Sequence, residues 1–296
     1  MRVFPLWMRE LSRPEVLIEG VDLKLHDRRE RYRQAVAQIK YDPLSIGALI
    51  TTHKIDLLDA ARDMFDLVGP YAQICNEVSC ILKRDGNLIG QAKDPVSAGL
   101  SLDAILGAGY FGSTGGEVLC FGSGGAASAI ALHLINKKVP GDRPKRFVVV
   151  NRSPGRLERL RGMVDRLGTD IEFVYICNQD PEQNDQIMGT MPEASLVINA
   201  TGMGKDRPGS PVTDDGRFPT NGIAWELNYR GELGFMHQVL AQRETRHVTV
   251  EDGWLYFLHG WTQAIAEVLD LTISEEMFDR LGRVAAQVRE PRASRP

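Results

Sequence analysis

The chain has 296 residues, 43% of them hydrophobic and 25% charged, and 35 Lys and Arg against 39 Asp and Glu give a formal net charge of −4. That length accommodates two domains of common size. The charge balance supplies no basic footprint for nucleic acid, and no run approaches the roughly 18 apolar residues of a membrane helix. The N-terminus MRVFPLWMRELSRP lacks the long apolar core of a signal peptide. Cys75, Cys80, Cys120 and Cys177 form no CxxC pair, so we read them as buried thiols in a reducing, cytoplasmic setting.

In chain order, VLIEGVDLKL (16–25) reads as a strand and 26–40 as a helix with Tyr32, Val36 and Ile39 inward. IGALITT (46–52) reads as a strand and IDLLDAARDMFDLV (55–68) as a helix. EVSCILKRDGNLIGQ (77–91) predicts a hairpin turning at Asp85-Gly86. SLDAILGAGYFGSTG (101–115) predicts a helix ending in glycines. Strand and helix then alternate. Strands are predicted at 118–122, 146–152, 171–177, 195–201, 222–229 and 247–253, with helices over 125–136 and 154–167. Apolar strands alternating with helices indicate an α/β fold with a parallel sheet covered on both faces. Helix returns over 253–285, and the last residues, REPRASRP, are expected to fray.

One loop carries specific chemistry. In VLCFGSGGAA, Gly122, Gly124 and Ala127 fit G-x-G-x-x-[GA] between a strand and a helix. Gly122 allows a sharp turn, Gly124 lets a pyrophosphate approach the backbone, and Ala127 lets the helix pack on the sheet. The backbone of Ser123, Gly124, Gly125 and Ala126 would face the phosphates at a helix N-terminus. Taken alone, the pattern also suits a turn that packs two elements. The second strand ends in Asn151-Arg152-Ser153, with Arg156 close behind and no carboxylate. A guanidinium there suits a 2′-phosphate, so the predicted cofactor is NADP rather than NAD. The six histidines show no metal-ligand spacing, so no metal is expected.

These segments together resemble the shikimate dehydrogenase family. VLCFGSGGAASAI is similar to its glycine loop and VVVNRSPGR to its Asn-Arg-Thr segment, with Ser153 in place of Thr. LVINATGMG resembles its NATPxGM segment, which places Asn199, Ala200, Thr201 and Met203 near a nicotinamide. GALITTHK and DGNLIGQAKDPVSAG resemble GxNVTxPHK and DGxLxGxNTDxxG, and their order and spacing agree over about 45–285. The resemblance implies a substrate-binding α/β domain (1–100), a Rossmann-type NADP domain (101–252) and C-terminal helices (253–296) packing back on the first. It implies hydride transfer between NADP and a ring alcohol or ketone. It maps the catalytic lysine onto Lys54 and the catalytic aspartate onto Asp94. Such a pair suits the reaction, because a ketone needs a proton on oxygen as hydride reaches carbon.

Several positions depart from the pattern. The family's N-terminal Ser-x-Ser-Pro has no equivalent, and its substrate-binding asparagines fall on Ser79 and Ala92, its NVT threonine on Ile50. After Leu258-His259 stands Gly260, with Gln263 one helical turn later. Unmatched buried polar groups cost roughly 1–3 kcal/mol each, which turns the expectation from shikimate to another small cyclic, polyhydroxylated alcohol. Ser79, Tyr229, Tyr256, His259 and Gln263 are the candidate substrate contacts. Trp254, Tyr256 and Trp261 equally suit a core. Shikimate or quinate dehydrogenase proper, a methylene-tetrahydrofolate dehydrogenase-like enzyme and a non-catalytic dinucleotide-binding regulator remain alternatives. The expected partner is a small molecule, with no nucleic acid and no membrane, and a homodimer is left open.

Overall fold

A computed structural model describes residues 2–205 and 207–289. The chain divides into two compact units: residues up to Lys93 with those from Gly260 onward, and Asp94–His259 between them.

The first unit begins with α1 (Phe4–Glu10), α2 (Arg29–Tyr41), β1 (Gly47–Leu49), α3 (Lys54–Ala61), β2 (Leu67–Val68), α4 (Pro70–Cys75), β3 (Cys80–Arg84) and β4 (Asn87–Gln91). The second holds α5 (Asp94–Leu106), α6 (Tyr110–Thr114), β5 (Val118–Phe121), α7 (Gly125–Asn136), β6 (Arg146–Asn151), α8 (Pro154–Leu167), β7 (Glu172–Cys177), α9 (Pro181–Gly189), β8 (Leu196–Asn199), β9 (Ile223–Glu226), α10 (Gly234–Leu240), α11 (Arg243–Arg246) and β10 (Thr249–Glu251). The division falls inside α12 (Trp254–Leu269), and α13 (Glu275–Gln287) completes the first unit.

The first unit's sheet runs β1-β3-β4-β2, antiparallel except for the β2–β4 pair. The predicted hairpin forms. Asp85 and Gly86 both take positive φ (52° and 77°), the backbone a two-residue turn between twisted strands requires. Tyr32 and Val36 of α2 pack with Leu57, Leu58 and Ala61 of α3 and Ile81 and Leu88 of the hairpin. Trp7 of α1 donates its indole N–H to the Leu281 carbonyl of α13 at 2.8 Å, tying the two chain ends together.

The second unit's sheet is parallel throughout, in the order β10-β9-β8-β5-β6-β7. β5, β8 and β9 are buried along their whole length, which is why they read as unbroken apolar runs. β5 lies between β6 and β8, so its following crossover and that of β8 leave in opposite directions. In doubly wound sheets, ligands bind beyond the carboxyl ends at such a switch point.

Three expectations fail for local reasons. Residues 16–25 form no strand: they have no ladder partner, and Leu17, Val21 and Leu25 are exposed. The 55–68 helix stops at Ala61, because Leu67 and Val68 pair instead with Ile89 and Gly90. The 101–115 helix starts earlier, at Asp94, and breaks where Gly107 and Gly109 take φ of 71° and 73°. The helical 253–285 stretch divides into α12 and α13 where Asp270 turns to φ 53° and Ser274 caps α13. Cys177 is exposed and Cys75 half-buried, so only Cys80 and Cys120 are the buried thiols expected of all four. Residues 290–296, expected to fray, lie outside the described residues. Among the described residues no helix is long and apolar enough to cross a membrane.

Candidate functional site

Three residues turn the chain between β5 and α7. Gly122 has φ +108°, and a Cβ on it would lie 2.5 Å from the Ala200 carbonyl oxygen. Gly124 caps α7 with extended backbone (φ −85°, ψ −167°) and no side-chain cap, and a Cβ there would meet nothing within 4 Å. Protein packing therefore demands glycine at 122 but not at 124. At 124 the missing side chain keeps space open beside the first free N–H groups of a twelve-residue helix, next to Ser123, Gly125 and Ala126. The residues present suit a diphosphate. Ala127 is fully buried, allowing α7 to sit close on the sheet.

At the end of β6, the Asn151 side-chain amide donates to Ser123 Oγ at 2.7 Å, joining the two loops. Ser153 stands at the N-cap of α8. Arg152 and Arg156 are exposed, and among the described residues neither guanidinium is paired with a carboxylate. Cys177, at the end of neighbouring β7, places its Sγ 3.8 Å from the Arg152 carbonyl oxygen.

The end of β8 is organised by a buried polar chain. Asn199 Oδ1 accepts from Thr201 N–H (3.1 Å) and from Thr201 Oγ1 (2.7 Å), and Thr201 Oγ1 accepts from Met203 N–H (3.1 Å). Ala200 N–H continues the sheet ladder to the Phe121 carbonyl at 2.7 Å. On the other side, Asn199 Nδ2 donates to Glu226 Oε2 at 2.7 Å. Glu226 Oε1 accepts from Asn228 N–H (2.9 Å) and Nδ2 (2.6 Å), and Asn228 Nδ2 also reaches the Met203 carbonyl at 3.0 Å. Burial pushes the Glu226 carboxyl up to about 7, while the amides of Asn228 and Asn199 pull the other way. Sequence reasoning missed Glu226. The available signal was a single carboxylate in the apolar run GIAWELNY.

Lys54, half-buried, opens α3 after His53, and Val78 N–H donates to its carbonyl at 3.1 Å. His53 Nδ1 lies 3.2 Å from the Tyr32 hydroxyl. Asp94 is the first residue of α5 and 8% exposed. Lys54 belongs to the first unit and Asp94 to the second. Ser79 is 4% exposed, and its Oγ already accepts from Lys93 N–H at 2.7 Å. Tyr229 follows β9 in a half-buried aromatic group, 4.5 Å from Phe257 and 6.2 Å from Trp254 between ring centres. Tyr256 meets Trp225 edge-on at 6.0 Å. Burial pushes His259 down to about 4. Tyr256, His259 and Gln263 all stand on α12, the first two in the second unit and Gln263 in the first. Trp261 packs against Phe4 and Trp7 within the first unit.

No family model matches the sequence. The shikimate dehydrogenase (NADP(+)) of Symbiobacterium thermophilum is 31% identical over 199 residues, which is 67% of this chain and 62% of that protein, so the match spans less than two thirds of the relative. Among solved structures, quinate dehydrogenase from Corynebacterium glutamicum in complex with NAD superposes with a TM-score of 0.70 at 16% identity, covering 97% of this chain and 93% of that one. The ligand-free 5-ketofructose reductase of Gluconobacter superposes with a TM-score of 0.64 at 17% identity, covering 95% and 92%. At those identities the structures speak for the fold. The sequence relationship makes the chain a distant relative of the shikimate dehydrogenases.

Proposed function

We propose that this chain is an NADP-dependent oxidoreductase that interconverts a small cyclic, polyhydroxylated alcohol and its ketone. One observation carries the reading. The opening beside Gly124 at the start of α7 lies on the same sheet edge as a β6 terminus that offers exposed guanidinium groups and no carboxylate. The bound dinucleotide supplies or accepts the hydride. The backbone from Ser123 to Ala126 holds its diphosphate. Asn151, Arg152, Ser153 and Arg156 hold its adenosine end, the guanidinium facing a 2′-phosphate. Asn199, Ala200, Thr201 and Met203 form the nicotinamide end.

Lys54 gives a proton to the substrate oxygen in reduction and recovers it in oxidation, with Asp94 orienting the ammonium and tuning its affinity for the proton. Ser79, Tyr229, Tyr256, His259 and Gln263 are assigned to the substrate side. His259, held neutral by burial, hydrogen-bonds at pH 7 rather than forming an ion pair. Ala92 and Ile50 offer no hydrogen bond, and Ser79 Oγ is engaged by the backbone, which disfavours shikimate itself. The relatives' names bracket the substrate class: shikimate, quinate and 5-ketofructose.

Calorimetric titration of NADP+ and NAD+ tests the cofactor. The expected result is at least tenfold tighter NADP+ binding, collapsing in Arg152→Ala, in line with charge-assisted hydrogen bonds of about 1.5–3 kcal/mol. Equal affinities in the unmodified protein refute the 2′-phosphate contact. A screen of cyclitols, aminocyclitols, quinate and shikimate identifies the alcohol. With it, Lys54→Ala should lower kcat by ~10²-fold or more, and unchanged turnover removes Lys54 from the mechanism.

A further inference from the structure

We infer that Glu226 is a positioning residue whose carboxylate, through Asn199, sets the 199–203 turn at the nicotinamide end of the dinucleotide site. The inference rests on the dinucleotide reading above. Its basis is the direction of each hydrogen bond in the buried chain. A carboxylate only accepts, so Glu226 forces both neighbouring amides to turn their Nδ2 groups toward it. For Asn199 that choice has one consequence: its Oδ1 must face Thr201. There it accepts from Thr201 N–H and Oγ1, and Thr201 Oγ1 in turn accepts from Met203 N–H. The charge on one strand thus dictates the amide orientation on the next, and that orientation dictates the turn. The Met203 carbonyl is held from the same cluster, by Asn228 Nδ2 at 3.0 Å.

The fold alone does not call for this arrangement. Glu226 and Asn199 are both fully buried in the middle strands of a parallel sheet, where an apolar pair of similar volume avoids the desolvation cost of a charge. What the carboxylate provides is a unique polarity for the chain. Gln at 226 cannot reproduce it. The Asn228 N–H belongs to the backbone and cannot rotate away, so the Gln Oε1 must face it. Nε2 is then left facing Asn199. Asn199 must flip to accept from it, which presents Nδ2 to Thr201 N–H, donor against donor. The turn from 199 to 203 loses its anchor, while the glycine loop and the end of β6 keep their own bonds.

The test separates the two ends of the ligand. NADP+ and 2′-phospho-ADP-ribose, which lacks the nicotinamide, are titrated calorimetrically at pH 8 into the full chain and into Glu226→Gln. The expected result is roughly tenfold weaker NADP+ binding in the variant, the scale of one lost hydrogen bond to a charged group, with the affinity for 2′-phospho-ADP-ribose unchanged. A merely structural role would weaken both ligands together or neither, and either outcome overturns the inference. Should Glu226→Gln not fold, Asn228→Ala, which removes Nδ2 from both Glu226 and Met203, is read by the same split. An unmodified protein that binds neither ligand overturns the dinucleotide reading, and this inference with it. Binding of both without the split overturns this inference alone.

Discussion

Gly122 and Gly124 stand two residues apart in one loop, and alanine at each should fail in a different way. At 122 the backbone is at φ +108° and a Cβ would sit 2.5 Å from a main-chain oxygen that cannot swing aside. A non-glycine residue in a sparsely populated region costs about 1–3 kcal/mol, and overpacking adds about 1–3 kcal/mol. Gly122→Ala should therefore lose roughly 2–6 kcal/mol, a large share of the ~5–15 kcal/mol that holds a typical domain together. At 124 the backbone suits any residue and the space is empty. Gly124→Ala should cost about 1 kcal/mol, because glycine is a favourable N-cap residue and alanine a poor one. Its methyl group occupies the space assigned to the diphosphate, so NADP+ binding should weaken about 5- to 100-fold, the equivalent of roughly 1–3 kcal/mol of overpacking. Urea unfolding and calorimetric titration on both variants measure the two effects separately. Unchanged NADP+ affinity in Gly124→Ala would refute the assignment of that space. Wild-type stability in Gly122→Ala would refute the packing argument.

Three further outcomes follow from particular side chains. Cys177 is exposed while burial pushes Cys80 and Cys120 up to about 12, so iodoacetamide should label Cys177 well before either; because its Sγ lies against Arg152, NADP+ should slow that labelling, as peptide mapping by mass spectrometry will show. Glu226 holds its proton to about 7 in the folded chain against an ordinary 4.5, chiefly through burial, with a lesser push from the charge of Asp252. The folded state binds that proton more tightly than the unfolded state, so the contribution is full below pH 4.5 and is lost as pH rises through 7. About 3 kcal/mol is at stake, and the stability of the unmodified chain relative to Glu226→Gln should fall by that order between pH 4.5 and 8; a flat difference would contradict it. Tyr32→Phe removes a hydroxyl that accepts from Asp27 N–H and lies within bonding distance of His53 and the Lys24 carbonyl. It should cost about 1–2 kcal/mol in urea unfolding, and no loss would show that the 24–27 segment is held by other contacts.

The second unit was legible because its central strands β5, β8 and β9 are buried on both faces, so they appear as apolar runs. α7 and α8 begin and end where the pattern placed them. The first unit was harder to read. VLIEGVDLKL alternates like a strand, yet pairing is a property of two segments and only Leu23 of this one packs on the core. β2 has two residues and is defined by its partner rather than by its own pattern. The helices at Phe4–Glu10, Pro181–Gly189 and Gly234–Leu240 were missed, being too short for periodicity to register. In the candidate site, the glycines and arginines stood out by residue type. Glu226 did not, since its meaning lies in what two asparagines on either side of it are obliged to do.

The contribution of both chain ends to the first unit, with the whole of Asp94–His259 inserted between them, bears on the order in which the molecule can be made. During vectorial synthesis the inserted stretch emerges as an unbroken piece that holds every strand of its own sheet. The earlier unit must wait, its Phe4 and Trp7 without Trp261 and Leu281, until α12 and α13 leave the ribosome. The half synthesised first is therefore the half that finishes last, and a premature stop after the parallel sheet would strand the N-terminal residues while leaving their neighbour complete.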